Sequence, residues 1–129
     1  MKGISETALV TEASIKSAIS DYLQYKTNAG EIYADRLNSG DFIEARGNTR
    51  RRIRGCRKGT ADFFVLQSIL LWDGVHATRI RSVRGIFLEI KSPTGKQSPE
   101  QVVFQKLVEN QGGEYHIVRS VDEVMEVLK

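Results

Sequence analysis

The stretch ADFFVLQSILLW at residues 61–72 decides the predicted fold of this 129-residue chain. It is dense in β-forming and apolar side chains, which is typical of a strand buried on both faces of a sheet. The stretch GIFLEIK at residues 85–91 has the same character and predicts a second central strand. Asp73 and Gly74 form a turn signal between them. Residues 75–84 carry three arginines and are predicted to return as an edge strand, because charged side chains discourage further pairing.

Helices are predicted to flank these strands. The first covers residues 6–26, where apolar residues recur at the spacing of one buried helical stripe. That stripe consists of Ile15, Ala18, Ile19, Tyr22 and Leu23. A second helix is predicted over residues 99–111 and a third from Ser120 onward, each opened by a capping-box pattern.

Three shorter strands complete the prediction, at residues 32–37, 42–45 and 115–119. The segment between Arg46 and Lys58 is predicted to be a loop. The order of elements is then α-β-β-β-β-α-β-α. This order predicts one α/β (α+β) domain over residues 1–129, with helices on both faces of a mixed central sheet.

The composition is that of a globular protein, with 40% hydrophobic and 27% charged residues. No apolar run approaches the ~20 residues that cross a bilayer, and the first residues lack a signal peptide, so a cytoplasmic protein is expected. The single cysteine, Cys56, excludes an intramolecular disulfide and a cysteine-based zinc cluster. The sequence has no P-loop and no convincing serine–histidine pair, and we expect no membrane partner and no organic cofactor.

The net charge of +3 is unevenly distributed along the chain. The segment from Arg46 to Lys58 contains no acidic residue. Its other cationic residues are Arg50, Arg51, Arg52, Arg54 and Arg57. Such a cluster is either a solvated loop or a phosphate-binding surface. Arginine suits phosphate oxygens better than lysine does, which favours a nucleic-acid partner.

Two charged residues interrupt the apolar strand at residues 85–91. Glu89 and Lys91 lie on one face of that strand, whereas Ile90 points to the other face, because side chains alternate. An ionisable pair is costly to bury without compensation. The pattern fits either a simple Glu–Lys pair at the end of a strand or a functional site.

Asp62 favours the functional interpretation, because it interrupts the neighbouring apolar strand as well. If the two strands pair, Asp62 and Glu89 converge, and the backbone carbonyl of Ile90 adds a third oxygen. Such a set of oxygens suits Mg²⁺ or Mn²⁺. A cation of this kind activates water and neutralises charge on a phosphodiester. Lys91 would bind the scissile phosphate or help to position the attacking water.

Two residues on the helices each have two interpretations. Glu12 lies in line with the buried stripe of the first helix, so it is either an acid favoured by the helix dipole or a further metal ligand. Gln101 completes a capping box with Ser98, but it is also in line with Phe104 on the face expected to pack on the sheet. Its amide could therefore reach Glu89.

The motifs together resemble a known family. They comprise the first helix with Glu12, RLNSG at residues 36–40, GTAD at 59–62, EIKSP at 89–93, GKQSPEQ at 95–101 and GGEY at 112–115. In order and spacing they resemble the VRR-NUC domains of the PD-(D/E)XK nuclease superfamily, in the small stand-alone form of phages and bacteria. Ala61 departs from the pattern, because the family usually has proline there.

The resemblance implies a restriction-endonuclease-like core, Mg²⁺ or Mn²⁺ as cofactor, and a homodimer that cuts branched DNA such as four-way junctions. It implies Asp62, Glu89 and Lys91 as the catalytic set, with Gln101 and Glu12 beside them. The expected DNA-binding residues are Arg36, Asn38, Ser39, Arg50, Arg51, Arg52, Arg54, Arg57, Lys58 and Lys96. The alternatives are a restriction or repair nuclease with another substrate preference and a non-catalytic DNA-binding module.

An apolar excess along one strand is the sequence feature that favours a dimer interface. The residues concerned are Phe63, Phe64, Ile69, Leu70, Leu71 and Trp72. They exceed what one strand has to bury, so some are expected to face a partner.

Overall fold

The computed structural model describes residues 10–72 and 79–129. This part of the chain contains three helices and six strands. The helices are α1 (Glu12–Asn28), α2 (Pro99–Asn110) and α3 (Val121–Val127). The strands are β1 (Tyr33–Arg36), β2 (Asp41–Arg46), β3 (Thr49–Arg54), β4 (Phe63–Trp72), β5 (Arg79–Ile90) and β6 (Glu114–Val118).

Four of the strands form a mixed sheet in the order β1-β4-β5-β6. The pairs β1/β4 and β4/β5 are antiparallel, whereas β5/β6 is parallel. On one face, α1 and α3 bury Ile19 and Val124 against Val65 and Leu88. On the other face, α2 packs Phe104 on the sheet. The predicted α+β class, with a mixed sheet between helices, is confirmed.

Helix α1 begins later than predicted, at Glu12 rather than at residue 6. Thr11 has extended backbone angles and its hydroxyl accepts the N–H of Ser14 at 3.1 Å, which makes it the N-cap. Residues 6–9 lie outside the described residues. Ile15, Ile19 and Leu23 are buried as expected, but Ala18 is exposed. The row Ile15, Ile19 and Leu23 therefore faces the sheet, with Tyr22 partly buried beside it.

The basic segment is not a loop, and that prediction was wrong. Residues Thr49–Arg54 form β3, which pairs with β2 from Asp41↔Arg54 to Arg46↔Thr49. Gly47 and Asn48 make the two-residue turn, and Gly47 has φ +55°. Two-residue turns need positive φ, which glycine adopts without strain. The arginines therefore stand on a regular hairpin.

Strands β4 and β5 also differ from the prediction. Residues 79–90 form one continuous strand rather than two. Residues 79–85 pair with β4 alone, as expected of an edge strand, whereas Ile86 to Ile90 also pair with β6. Only Phe63 to Leu66 of β4 also pair with β1, so the far half of β4 pairs with β5 alone among the described strands. Leu70, for example, is 61% exposed, whereas Phe63 belongs to the core. The predicted turn at residues 73–74 lies outside the described residues.

The remaining elements match their predictions to within two residues. Ser98 caps α2, and Ser98 and Gln101 form the reciprocal capping box. At α3 the hydroxyl of Ser120 accepts the N–H of Glu123, but the carboxylate of Glu123 accepts the N–H of Arg119 rather than that of Ser120. No helix in the described part of the chain is long and apolar enough to span a membrane.

Candidate active site

Asp62 and Glu89 are brought together at the end of the two central strands. Phe63 pairs with Leu88 at the last step of the ladder. Beyond it, the N–H of Asp62 donates to the carbonyl of Leu88 at 3.0 Å, one residue out of that register, and Oδ2 of Asp62 accepts the N–H of Ile90 at 2.8 Å. These two hydrogen bonds hold Asp62 beside Glu89. The convergence expected from the sequence is therefore present in the fold.

Glu89 is a buried carboxyl group. It is 4% exposed, and burial raises its pKa to about 8, with the negative charge and hydrogen bond of Asp62 as further causes. Its Oε2 accepts the amide of Gln101 at 3.2 Å and lies 3.8 Å from Nζ of Lys91. Its Oε1 is buried and has no hydrogen-bond partner among the described residues. A buried polar atom left without a partner costs free energy, so a ligand that binds Oε1 would remove this cost.

The carboxylate of Asp62 divides its two oxygens between two partners. Oδ2 accepts the backbone N–H of Ile90 at 2.8 Å. Oδ1 lies 2.9 Å from Nζ of Lys16, which reaches it from α1. No motif in the sequence points to Lys16. Its only local signal is its position next to buried Ile15, and this does not indicate a partner 46 residues away.

Glu12 does not lie on the buried stripe, and that prediction was wrong. As the first residue of α1 its side chain is 46% exposed, because the helix begins beyond the edge of the core. Glu12 approaches the site only through Lys16, at 3.9 Å. Among residues 10–72 and 79–129, no group of three or more Asp, Glu, His or Cys side chains could hold a metal. In the described structure the neighbour of the Glu12 carboxylate is Lys16, and the role of Glu12 as a metal ligand stays a prediction.

The residues present fit a divalent cation nonetheless. Glu89 offers an unpaired oxygen next to Asp62. The N–H of Ile90 points toward Asp62, and the carbonyl of the same residue in an extended strand points to the same side. Mg²⁺ commonly takes only one or two carboxylates and keeps several waters. Two carboxylates and one carbonyl match that demand.

Gln101 has both of the roles that its sequence position allowed. Its carbonyl oxygen accepts the N–H of Ser98 at 2.8 Å, and its amide nitrogen donates to Glu89. The same face of the sheet contains Tyr115, whose pKa is raised to about 12, mainly by burial. The hydroxyl of Tyr115 accepts a hydrogen bond from Gln97 at 3.3 Å. This hydroxyl is neutral at physiological pH and supplies no charge.

The arginine hairpin, β2–β3, is separate from this site. Every residue of β3 is exposed, and the hairpin contacts no other described helix or strand. Arg51 pairs with Glu44 at 3.2 Å, and Arg52 pairs with Asp41. Within the described residues, Arg50 and Arg54 have no acidic partner.

The other residues predicted to bind DNA lie outside the two strands of the hairpin, and all are exposed. Asn38 and Ser39 lie at its base, where the carbonyl of Asn38 accepts the N–H of Cys56 at 2.7 Å. Arg36 and Lys16 line one cleft of about 420 Å³. The loops before β4 and after β5 carry the remaining three, Arg57, Lys58 and Lys96.

No protein-family model, curated protein or solved structure matches the chain. The resemblance to VRR-NUC domains therefore stays a prediction that the motifs alone support. What the fold adds is a pair of carboxylates with two lysines, Lys16 and Lys91, at the end of two central strands.

Proposed function

We propose that this protein is a Mg²⁺- or Mn²⁺-dependent endonuclease that hydrolyses phosphodiester bonds in DNA. The observation that carries the proposal is Glu89, a buried carboxyl group beside Asp62 with one oxygen lacking a partner. A protein that only bound phosphate would gain nothing from two carboxylates next to its anion. A metal site requires them.

Each residue of the site has a role in this proposal. Asp62, Glu89 and the carbonyl of Ile90 hold the cation, which when bound activates water and neutralises charge on the phosphate. Lys91 has a side chain that is only 12% exposed and approaches Glu89, so its ammonium is placed to bind the scissile phosphate or to position the attacking water. Gln101 orients Glu89 from the first turn of α2.

The substrate preference rests on the family resemblance. We propose branched DNA such as four-way junctions, a homodimer, and a restriction-endonuclease-like core formed by the four-stranded sheet. A two-fold dimer would place two sites symmetrically on two strands. The exposed Leu70 on the far half of β4 supports such an interface, because it is a large apolar side chain without cover in the monomer. A restriction or repair nuclease with another substrate preference uses the same site.

A second candidate is a non-catalytic DNA-binding module. The separate hairpin favours it, because Arg50 and Arg54, which have no acidic partner among the described residues, could bind phosphates whether or not the carboxylates act. Phosphate contacts position a protein on DNA in either case. The carboxylate pair therefore distinguishes the two candidates, and the hairpin does not.

The test is cleavage of labelled four-way, flap, linear and single-stranded DNA with Mg²⁺, Mn²⁺ or EDTA. We expect metal-dependent cutting, strongest on branched DNA. Asp62→Asn and Lys91→Ala should abolish cutting but retain binding, whereas Lys26→Ala, in a surface pair with Glu31, should cut normally. Cutting by Asp62→Asn at the wild-type rate would contradict the proposed site. Tight junction binding without any cleavage would favour the binding module.

A further inference from the structure

We propose that Lys16 is a tethered counter-ion that a divalent cation has to displace from Asp62, so that this lysine sets the affinity of the site for its metal. The inference rests on the proposed metal site and adds a residue that the motifs do not contain. It concerns the chain's own charges, and metal binding can be measured without DNA and without turnover.

The two oxygens of Asp62 are not equivalent. Oδ2 is committed to the N–H of Ile90, a bond that holds the carboxylate against β5. Oδ1 is therefore the oxygen that remains for a cation, and Nζ of Lys16 occupies it at 2.9 Å. The pair is largely shielded from water, with side chains 23% and 18% exposed. Shielding strengthens the attraction, so a metal and Lys16 would compete for one atom.

The two lysines of the site are placed differently. Lys91 lies near Oε2 of Glu89, at 3.8 Å, and this leaves the unpaired Oε1 of Glu89 open. Lys16, in contrast, contacts Oδ1 of Asp62, the oxygen that the metal would bind. Lys16 and Lys91 thus approach the Asp62 carboxylate and the Glu89 carboxyl group, respectively. Adding a divalent cation beside an unmoved Lys16 would place like charges within a few ångströms, which is unfavourable.

Glu12 provides a place for the displaced ammonium. It precedes Lys16 by one helical turn, and its carboxylate already lies 3.9 Å from Nζ. Residues at i and i+4 on a helix are neighbours, so the lysine can exchange Asp62 for Glu12 without unfolding α1. Glu12 would then act on the site through Lys16, and not as a ligand.

The experiment is calorimetric titration of the full chain with MnCl₂ and with MgCl₂, in the absence of DNA. Lys16→Met should lower the Kd for the metal by roughly ten-fold, because it removes the competing charge while keeping a chain of similar length. Lys16→Arg keeps the charge and should not tighten binding. Lys26→Met is the matched control, since Lys26 lies on the same helix but outside the site. Its Nζ pairs with the carboxylate of Glu31 at 3.1 Å.

Glu12→Gln provides a second variant that does not change the buried part of the site. Because Glu12 is exposed, this protein should fold, and loss of the acceptor for Lys16 should weaken metal binding. If the wild type binds metal but Lys16→Met and Lys26→Met have equal affinities, the inference is wrong while the proposed function stands. If wild type and all variants give no binding heat and no thermal shift with metal, the metal site itself is wrong.

Discussion

Gln101 connects the first turn of α2 to the buried carboxyl group of Glu89. Its carbonyl oxygen accepts the N–H of Ser98 at 2.8 Å, while its amide nitrogen lies 3.2 Å from Oε2 of Glu89. One planar amide thus closes the helix cap and fixes the orientation of the carboxyl group. Stability and site geometry are coupled through this side chain.

Replacing Gln101 should therefore affect both properties. Gln101→Ala should lower the free energy of unfolding by about 1 kcal/mol through the cap, and should weaken metal binding by roughly ten-fold or more, as loss of a ligand's supporting hydrogen bond commonly does. Ser98→Ala is the matched control, because it removes the other half of the cap but leaves Glu89 its donor. Equal metal affinities for the two variants would show that the Glu89 contact has no role at the site.

The raised pKa of Glu89 predicts a pH-dependent stability. Because the folded pKa is raised to about 8, the contribution of this group is fully present below its ordinary pKa of 4.5 and is lost as the pH rises through 8. In EDTA, the Glu89→Gln protein should have the same free energy of unfolding as the wild type near about pH 4. It should become more stable than the wild type as the pH rises to about 9. The size of the pKa shift limits this difference in the free energy of unfolding to about 5 kcal/mol.

Urea unfolding at several pH values measures this difference. Glu109→Gln supplies a control, since it makes the same replacement at an exposed position. A wild-type protein whose stability relative to Glu89→Gln is constant from acid to alkaline pH would contradict the assignment of the raised pKa.

A second carboxylate predicts the opposite pH dependence. Hydrogen bonds from Arg84 lower the pKa of Glu114 to about 2, and His116 adds to the effect. Its stabilising contribution is therefore present above about pH 4.5 and is lost as the pH falls toward 2. Glu114→Gln should cost about 1 to 2 kcal/mol near neutral pH, after allowing for a partly exposed pair.

The Glu114→Gln difference should shrink steadily as the pH falls from about 4.5 to about 2, where half of the wild-type carboxyl groups are protonated. Acid titration followed by circular dichroism measures it. A cost that stays the same at low pH would mean that packing, rather than the charge of Glu114, stabilises this end of β6.

The hairpin predicts unequal contributions of its arginines to DNA binding. Arg50 has no acidic partner in the part of the chain that the structure describes, whereas Arg51 pairs with Glu44 at 3.2 Å. Arg50→Ala should reduce the slope of log K against log salt by about 1, as one lost phosphate contact does. Arg51→Ala should change it less, because part of its charge is already neutralised. Fluorescence anisotropy over a salt series provides the slopes, and identical slopes for wild type and Arg50→Ala would exclude this residue from the DNA contact.

Local patterns were sufficient for several elements. Ile15, Ile19 and Leu23 recur at helical spacing, and they are the residues that α1 buries. Ser98 and Gln101 have the capping spacing, and they form that box. The hairpin could also have been predicted, since Gly47 and Asn48 are a two-residue turn signal between its strands. The run of arginines favours a loop instead, because runs of like charges are typical of solvated segments.

Sequence by itself determined which residues are apolar, which cap helices and which two carboxylates interrupt apolar strands. Only the tertiary structure decided which charges meet. Lys16 pairs with Asp62 because α1 packs against β1 and β5, and Glu12 stays outside because the helix begins one turn before Lys16. Ion pairs between distant segments depend on how the elements pack, and no periodicity along the chain encodes that packing.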